Sequence, residues 1–190
     1  MELDERRITM SDIKQFNLMT GQRAERKLLI TVAEWSETTT VGTTATTETV
    51  REILGTRTED SSIEYNADIE TTTDILGNNY TDLNKTQPQQ SFEPYLVLGG
   101  SRLGAFLNDI RRRNAVSELN QFTMYIITAY VGTTGAYECE KHTDCTITYD
   151  SIGGDTKVNF PITVYFSNKI TTGTVDKLSD DFVFTSDATV

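Results

Sequence analysis

Residues 99–119, GGSRLGAFLNDIRRRNAVSEL, contain the one convincing helical period in this chain. Leu103, Phe106, Leu107 and Ile110 recur at i, i+3, i+4 and i+7, which puts them in one stripe on one helix face. Gly99 and Gly100 interrupt whatever strand precedes, Ser101 suits the N-cap, and Asn114 suits a stop, so the spacing predicts a helix near 102–114. Arg111, Arg112 and Arg113 crowd its last turn, where positive charge meets the negative end of the helix dipole. Two readings of that triplet stand side by side: a solvated, dipole-compensating helix end, which is the more ordinary one, or a contact with a neighbouring acidic subunit. Almost everything outside this stretch is threonine-rich and alternating, a pattern that suits strands. The expected fold is therefore mostly β (α+β), a β-sandwich or barrel of about eight to ten strands with one main flanking helix.

Taken in order, residues 1–26 read as a polar N-terminal arm, with a weak helical pattern over 12–19, and residues 27–190 as a single domain. The first good strand is KLLITVAEW, 27–35. Residues 37–48, ETTTVGTTATTE, carry almost no core-forming side chains and read as a long threonine-rich loop or an extended hairpin tip, either a floppy surface loop or one ordered by a partner in an assembly. Short strands are expected over 50–55, 61–66, 80–85 and 89–94, with a turn at Asp74-Ile-Leu-Gly-Asn78. FTMYIITAYV, 122–131, is the strongest strand. Residues 137–140 and 145–149 look like two arms of a hairpin. NFPITVYF, 159–166, alternates with Phe160, Ile162, Val164 and Phe166 on one face. Thr171-Thr172-Gly173 reads as a turn before a closing strand over 181–185.

A length of 190 residues allows a core of ordinary size. The net charge of −11 argues against a conventional nucleic-acid binder, which needs a basic surface to displace counterions. No apolar run approaches the length needed to span a membrane, and MELDERRITMSD has no apolar signal core, so a protein synthesised in the cytosol without a membrane anchor is expected.

The residues offer little chemistry. The one histidine, His142, lies in Cys139-Glu-Lys-His142-Thr-Asp144-Cys145. Two thiols, an imidazole and Asp144 would be an unusual zinc set, and an ordinary hairpin tip is the preferred reading. A Cys139–Cys145 disulfide would need a register that a four-residue loop does not provide, so reduced thiols are expected. Cysteine and histidine three residues apart on a turn also make a poor nucleophilic pair. No phosphate-binding loop, dinucleotide fingerprint or HExxH is present. An enzyme is not expected, nor a cofactor or metal.

Four stretches in order carry a resemblance. Acid-rich 59–70 runs into Thr-Thr-Thr-Asp-Ile-Leu-Gly77; KTQPQQSFEP, 85–94, leads towards the helix; residues 147–154 and 160–166 flank a Gly-Gly turn; and Gly-Thr-Val-Asp176 precedes Phe182-Val-Phe184. Together they resemble the tail tube (major tail) proteins of long-tailed bacteriophages, whose fold is similar to the tube proteins of type VI secretion and contractile injection systems. The resemblance implies a structural virion protein, assembled in the host cytoplasm and located in the tail. Subunits would form hexameric rings that stack into a hollow conduit for DNA. The implied partners are further copies of the chain, the terminator, tape measure and distal tail proteins, and passing DNA without specific binding. An acid-lined bore would repel phosphate. Arg111, Arg112, Arg113, Thr43, Thr44, Asp74 and Asn78 are the candidate interface residues. A secretion or tailocin-type tube protein and an adhesin-like β-sandwich binding module are the alternatives.

Overall fold

A computed structural model describes residues 16–41, 43–58 and 60–187. The strongest apolar run, β7 (Phe122–Thr133), lies in the middle of the larger sheet because both of its faces are buried. Phe122, Met124 and Ile126 point to one side, and Tyr125 and Ile127 to the other. It pairs antiparallel with β1 (Leu29–Val41), which pairs on its far side with β2 (Thr44–Ile53). On the other flank β7 pairs with β8 (Ala136–Tyr149). That strand is long enough to serve two neighbours: its first half pairs with β10 (Ile170–Val175) and its second half with β9 (Ile162–Tyr165). From β9 the chain of pairings continues to β6 (Gln89–Phe92) and β3 (Ile63–Glu64), and β10 also pairs with β11 (Phe184–Ser186).

The two branches face each other across the main core. Trp35 and Ala33 from β1, Val50 from β2, Met124 from β7 and Ile147 from β8 meet Phe92 from β6 and Ile162 and Val164 from β9. Buried Gln90 fastens the layers at one side, accepting a hydrogen bond from Thr31 Oγ1 (2.8 Å) and donating to Ser61 Oγ (3.1 Å). Helix α1 (Arg102–Arg113) covers the end of this sandwich with the expected stripe: Leu103, Leu107 and Ile110 are fully buried, and Phe106 stacks on Trp35 at 5.8 Å. Ser101 Oγ accepts from Gly104 N, and Asn114 ends the helix in the left-handed region at φ 56°.

A second, smaller cluster occupies the opposite face of the large sheet. Val32, Tyr125, Ile127, Cys139 and Val175 are covered by Phe182 from the segment between β10 and β11. Arg51 holds that segment in place, donating to the Phe182 carbonyl (2.7 Å) while its guanidinium lies 4.4 Å from the Phe182 ring centre.

β4 (Asp68–Thr73) and β5 (Asn79–Lys85) form a separate two-stranded hairpin in which every residue is exposed. We call it the arm.

The mostly β fold with one flanking helix matches the expectation, and five local expectations are corrected. The described residues hold eleven strands, more than the eight to ten expected. Residues 37–48 are not a loop: Glu37 pairs with Glu48, and Val41 with Thr44, in a continuous ladder, so the hairpin-tip alternative holds. The supposed hairpin over 137–149 is the single strand β8, because Asp144, at φ 58°, forms a bulge and not a turn. One β7 residue, Thr123, there opposes two on β8, Thr143 and Asp144, which switches the side-chain alternation. Thr171-Thr172-Gly173 is strand interior, since Gly173 lacks the Cβ that would meet the Thr185 carbonyl at 2.2 Å. The suggested helix over 12–19 lies outside the described residues up to 15; from Phe16, which bridges Val131, the backbone is not helical.

Candidate assembly surfaces

The expected interface residues fall on three separate projections: the C-terminal end of α1, the tip of the β1–β2 hairpin, and the turn of the arm. The structure does not gather them into one site.

Arg113 is bound within its own chain. It donates from Nε to Asp109 (2.6 Å) and from both terminal nitrogens to Glu118 (2.8 and 2.9 Å). Those bonds raise its pKa above the ordinary arginine range, and Arg113 in turn holds the Glu118 carboxyl below its usual value. Among the described residues Arg111 reaches only Asn108 (3.0 Å), and Arg112 is exposed on the same helix end. The triplet thus divides into one internally committed arginine and two that face outwards.

Thr43 and Thr44 sit at the hairpin tip, fully exposed. Below the tip, Glu37 and Glu48 stand directly opposite each other, an arrangement that is repulsive by itself. Arg102, from the first turn of α1, donates to both, at 2.6 Å to Glu37 and in a shorter contact to Glu48. Glu52 performs a second bridging task. Its Oε2 accepts from Arg102 N (2.7 Å) and Leu103 N (3.0 Å), and its Oε1 accepts from Ser101 Oγ (2.8 Å) and Tyr95 OH (3.1 Å). A strand carboxylate therefore satisfies free amides at the positive end of the helix. Burial, with a contribution from Glu52, pushes the Tyr95 hydroxyl above its usual range. Between hairpin and helix lies a groove of about 820 Å³ with Thr38, Phe106 and Asp109 among its lining.

Among the described residues β2 is the terminal strand of the large sheet, with one edge unpaired. Its ten consecutive pairings with β1 run without a register shift, and it contains no proline or lysine. Its three charged side chains are all turned to their own chain: Glu48 to Arg102, Arg51 to Glu34 (2.6 Å), and Glu52 to the helix. Lysine, proline and a bulge, devices that usually protect an edge, are absent from β2.

Asp74 and Asn78 do meet. The Asp74 carboxylate accepts from Leu76 N (2.8 Å), Asn78 N (2.9 Å), Asn78 Nδ2 (2.9 Å) and Tyr80 OH (3.1 Å). Hydrogen bonds from Asn78 above all, then Leu76 and Tyr80, lower its pKa to about 2. The turn holds up an apolar tip, with Ile75 fully exposed and Leu76 nearly so. Six of the fifteen large exposed hydrophobic residues described lie between positions 65 and 83.

The cysteine–histidine segment separates across β8. Cys139 joins the outer cluster, whereas His142 faces the other side, stacks edgewise on Phe166 at 5.2 Å and hydrogen-bonds the Ser167 carbonyl (3.0 Å). Cys145 lies in the main core. Both thiols are free, and burial beside Glu140 and Glu138 pushes Cys139 up to about 12. Among the described residues no three potential metal ligands cluster, and no helix is long and apolar enough to cross a membrane.

Sequence reasoning singled out the helix end and the arm turn but missed Arg102, Glu52, Glu37 and Glu48, which tie the hairpin to the helix. A signal was available: Glu37 with Glu48, and Glu34 with Arg51, are equidistant from a turn centred between 42 and 43. No protein-family model matches the chain, and no curated protein matches its sequence.

Proposed function

We propose that the chain is a structural assembly subunit, a phage tail tube protein whose copies associate into stacked rings around a conduit for DNA. The observation that carries this reading is the open β2 edge. A ten-residue strand that has, among the described residues, an unpaired row of N–H and C=O groups, no lysine, proline or bulge, and its charges bound within its own chain is built to continue its sheet into another chain. The fully exposed arm supports the same reading, since an isolated two-stranded hairpin is at best marginally stable in water and gains from a partner. The ordered resemblance of four sequence stretches to tail tube proteins selects the tube among β-rich assemblies. The net charge of −11 suits a wall along which DNA slides, because phosphate finds few cations to bind.

Negative-stain electron microscopy of the purified chain over a concentration and salt series tests the proposal. Rings or hollow tubes of uniform diameter are expected. Monomers under every condition, including with tube fragments added as seeds, would remove it.

A further inference from the structure

The chain contains the same electrostatic arrangement twice, once completed and once not. In the β1–β2 hairpin, Glu37 and Glu48 are directly opposite, and Arg102 from α1 bridges them. In the arm, Glu70 and Asp82 are directly opposite in the same antiparallel register. Both are exposed, and neither carboxylate has a cation partner among the described residues. Like charges facing each other across a ladder weaken a hairpin that is already marginal. The next pair along the same face is Thr72 with Tyr80, and the Tyr80 ring is half exposed. The face therefore presents two carboxylates beside an aromatic ring, the surroundings in which an arginine is held best. This chain uses that chemistry elsewhere: Arg51 pairs with Glu34 while lying against the Phe182 ring.

The matching group is on the same molecule, and among the described residues no hydrogen bond or ion pair joins it to the arm. Arg111 and Arg112 are exposed at the end of α1; among the described residues Arg111 hydrogen-bonds only Asn108, and Arg112 makes no side-chain hydrogen bond or ion pair with an acid. We propose that the arm of one copy seats on the helix end of a second copy, with Arg112, supported by Arg111, entering between Glu70 and Asp82 beside Tyr80. This deepens the assembly reading above and rests on it. The two patches differ, so the contact is heterologous: each copy offers an arm and accepts one, and repetition gives a ring if the rotation closes and a filament if it does not.

The test uses the full chain in two charge-reversed forms, Glu70→Lys with Asp82→Lys, and Arg111→Glu with Arg112→Glu. Association is followed by sedimentation velocity and electron microscopy. Each variant alone should need at least about tenfold more protein to associate than the parent. An equimolar mixture should recover association, because both junctions between unlike copies are then complementary. A folding defect would not be cured by mixing, and circular dichroism of each variant checks the fold directly. If the parent forms rings and either variant does so at the same concentration, or if mixing restores nothing, the arm-to-helix contact is wrong while the tube reading stands. If the swaps behave as expected but the particles have no bore, the contact stands and the tube reading falls. A parent that never associates overturns both.

Discussion

Asp74 shows how much structure one exposed side chain can organise. Its carboxylate gathers two backbone amides, an amide side chain and a phenol, which sets the direction in which Ile75 and Leu76 project. All four donors favour the ionised form, so the folded-state pKa is about 2 against an ordinary 3.8. A depressed carboxyl contributes order that is complete above the unfolded value and lost as pH falls through the folded one. The arm turn should therefore keep its geometry down to about pH 4 and loosen between there and about pH 2. The Leu76 and Asn78 amide resonances report this directly. A midpoint near 3.8 would mean that the carboxylate is not held as described. At this scale the sequence was partly legible. Asp-x-x-Gly-Asn is a recognisable turn, and Ser101 and Asn114 were readable as caps from residue type and position alone. Asp144 was not, because a bulge depends on one φ angle and leaves no periodic trace. Misreading it turned one strand into two; strand alternation puts Cys139 and His142 on opposite faces of β8.

Elements with a strong intrinsic period were the easiest to read. The α1 stripe and the 160–166 alternation follow from 3.6- and 2-residue repeats whose apolar members have one place to go. The threonine-rich segment defeated that logic. Without apolar side chains it has no amphipathic signature, yet its ladder is held by backbone pairing and by ties at its base. The tie to α1 is testable. Glu52 caps the helix from a strand fifty residues away, so Glu52→Ala should leave the Arg102 and Leu103 amides without their acceptor and the Tyr95 hydroxyl with Ser101 Oγ alone, at 3.3 Å. A loss of about 1–3 kcal/mol in urea denaturation is expected. Fraying should be confined to the first turn of α1 in hydrogen exchange. Ser101→Ala should cost less, about 1 kcal/mol, since Glu52 remains. Equal losses from the two variants would show that the carboxylate adds nothing to the local cap.

The molecule as a whole separates a closed interior from an open periphery. Two clusters bury most of the large side chains, and the helix and the 176–183 segment cover the sheet faces, but among the described residues no strand pairs with the outer edge of β2 or with the arm. This division yields a prediction that distinguishes folding from assembly. Ala45 and Thr49 are exposed on β2, two turns of the pleat apart, on the strand whose far edge is unpaired. Lysine at both positions adds the kind of charge that natural edge strands use to prevent sheet extension, and removes no buried contact. Ala45→Lys with Thr49→Lys should change the stability of the monomer by no more than about 0.5 kcal/mol per site. Lateral association, measured by sedimentation over the same concentration range as the parent, should nevertheless be abolished. Because this edge belongs to a different sheet from Glu70 and Asp82, the arm's own contact should survive the change, leaving short linear oligomers visible by microscopy in place of rings. Full-sized rings from the lysine variant would show that β2 faces solvent in the assembled state, and that copies meet through other surfaces.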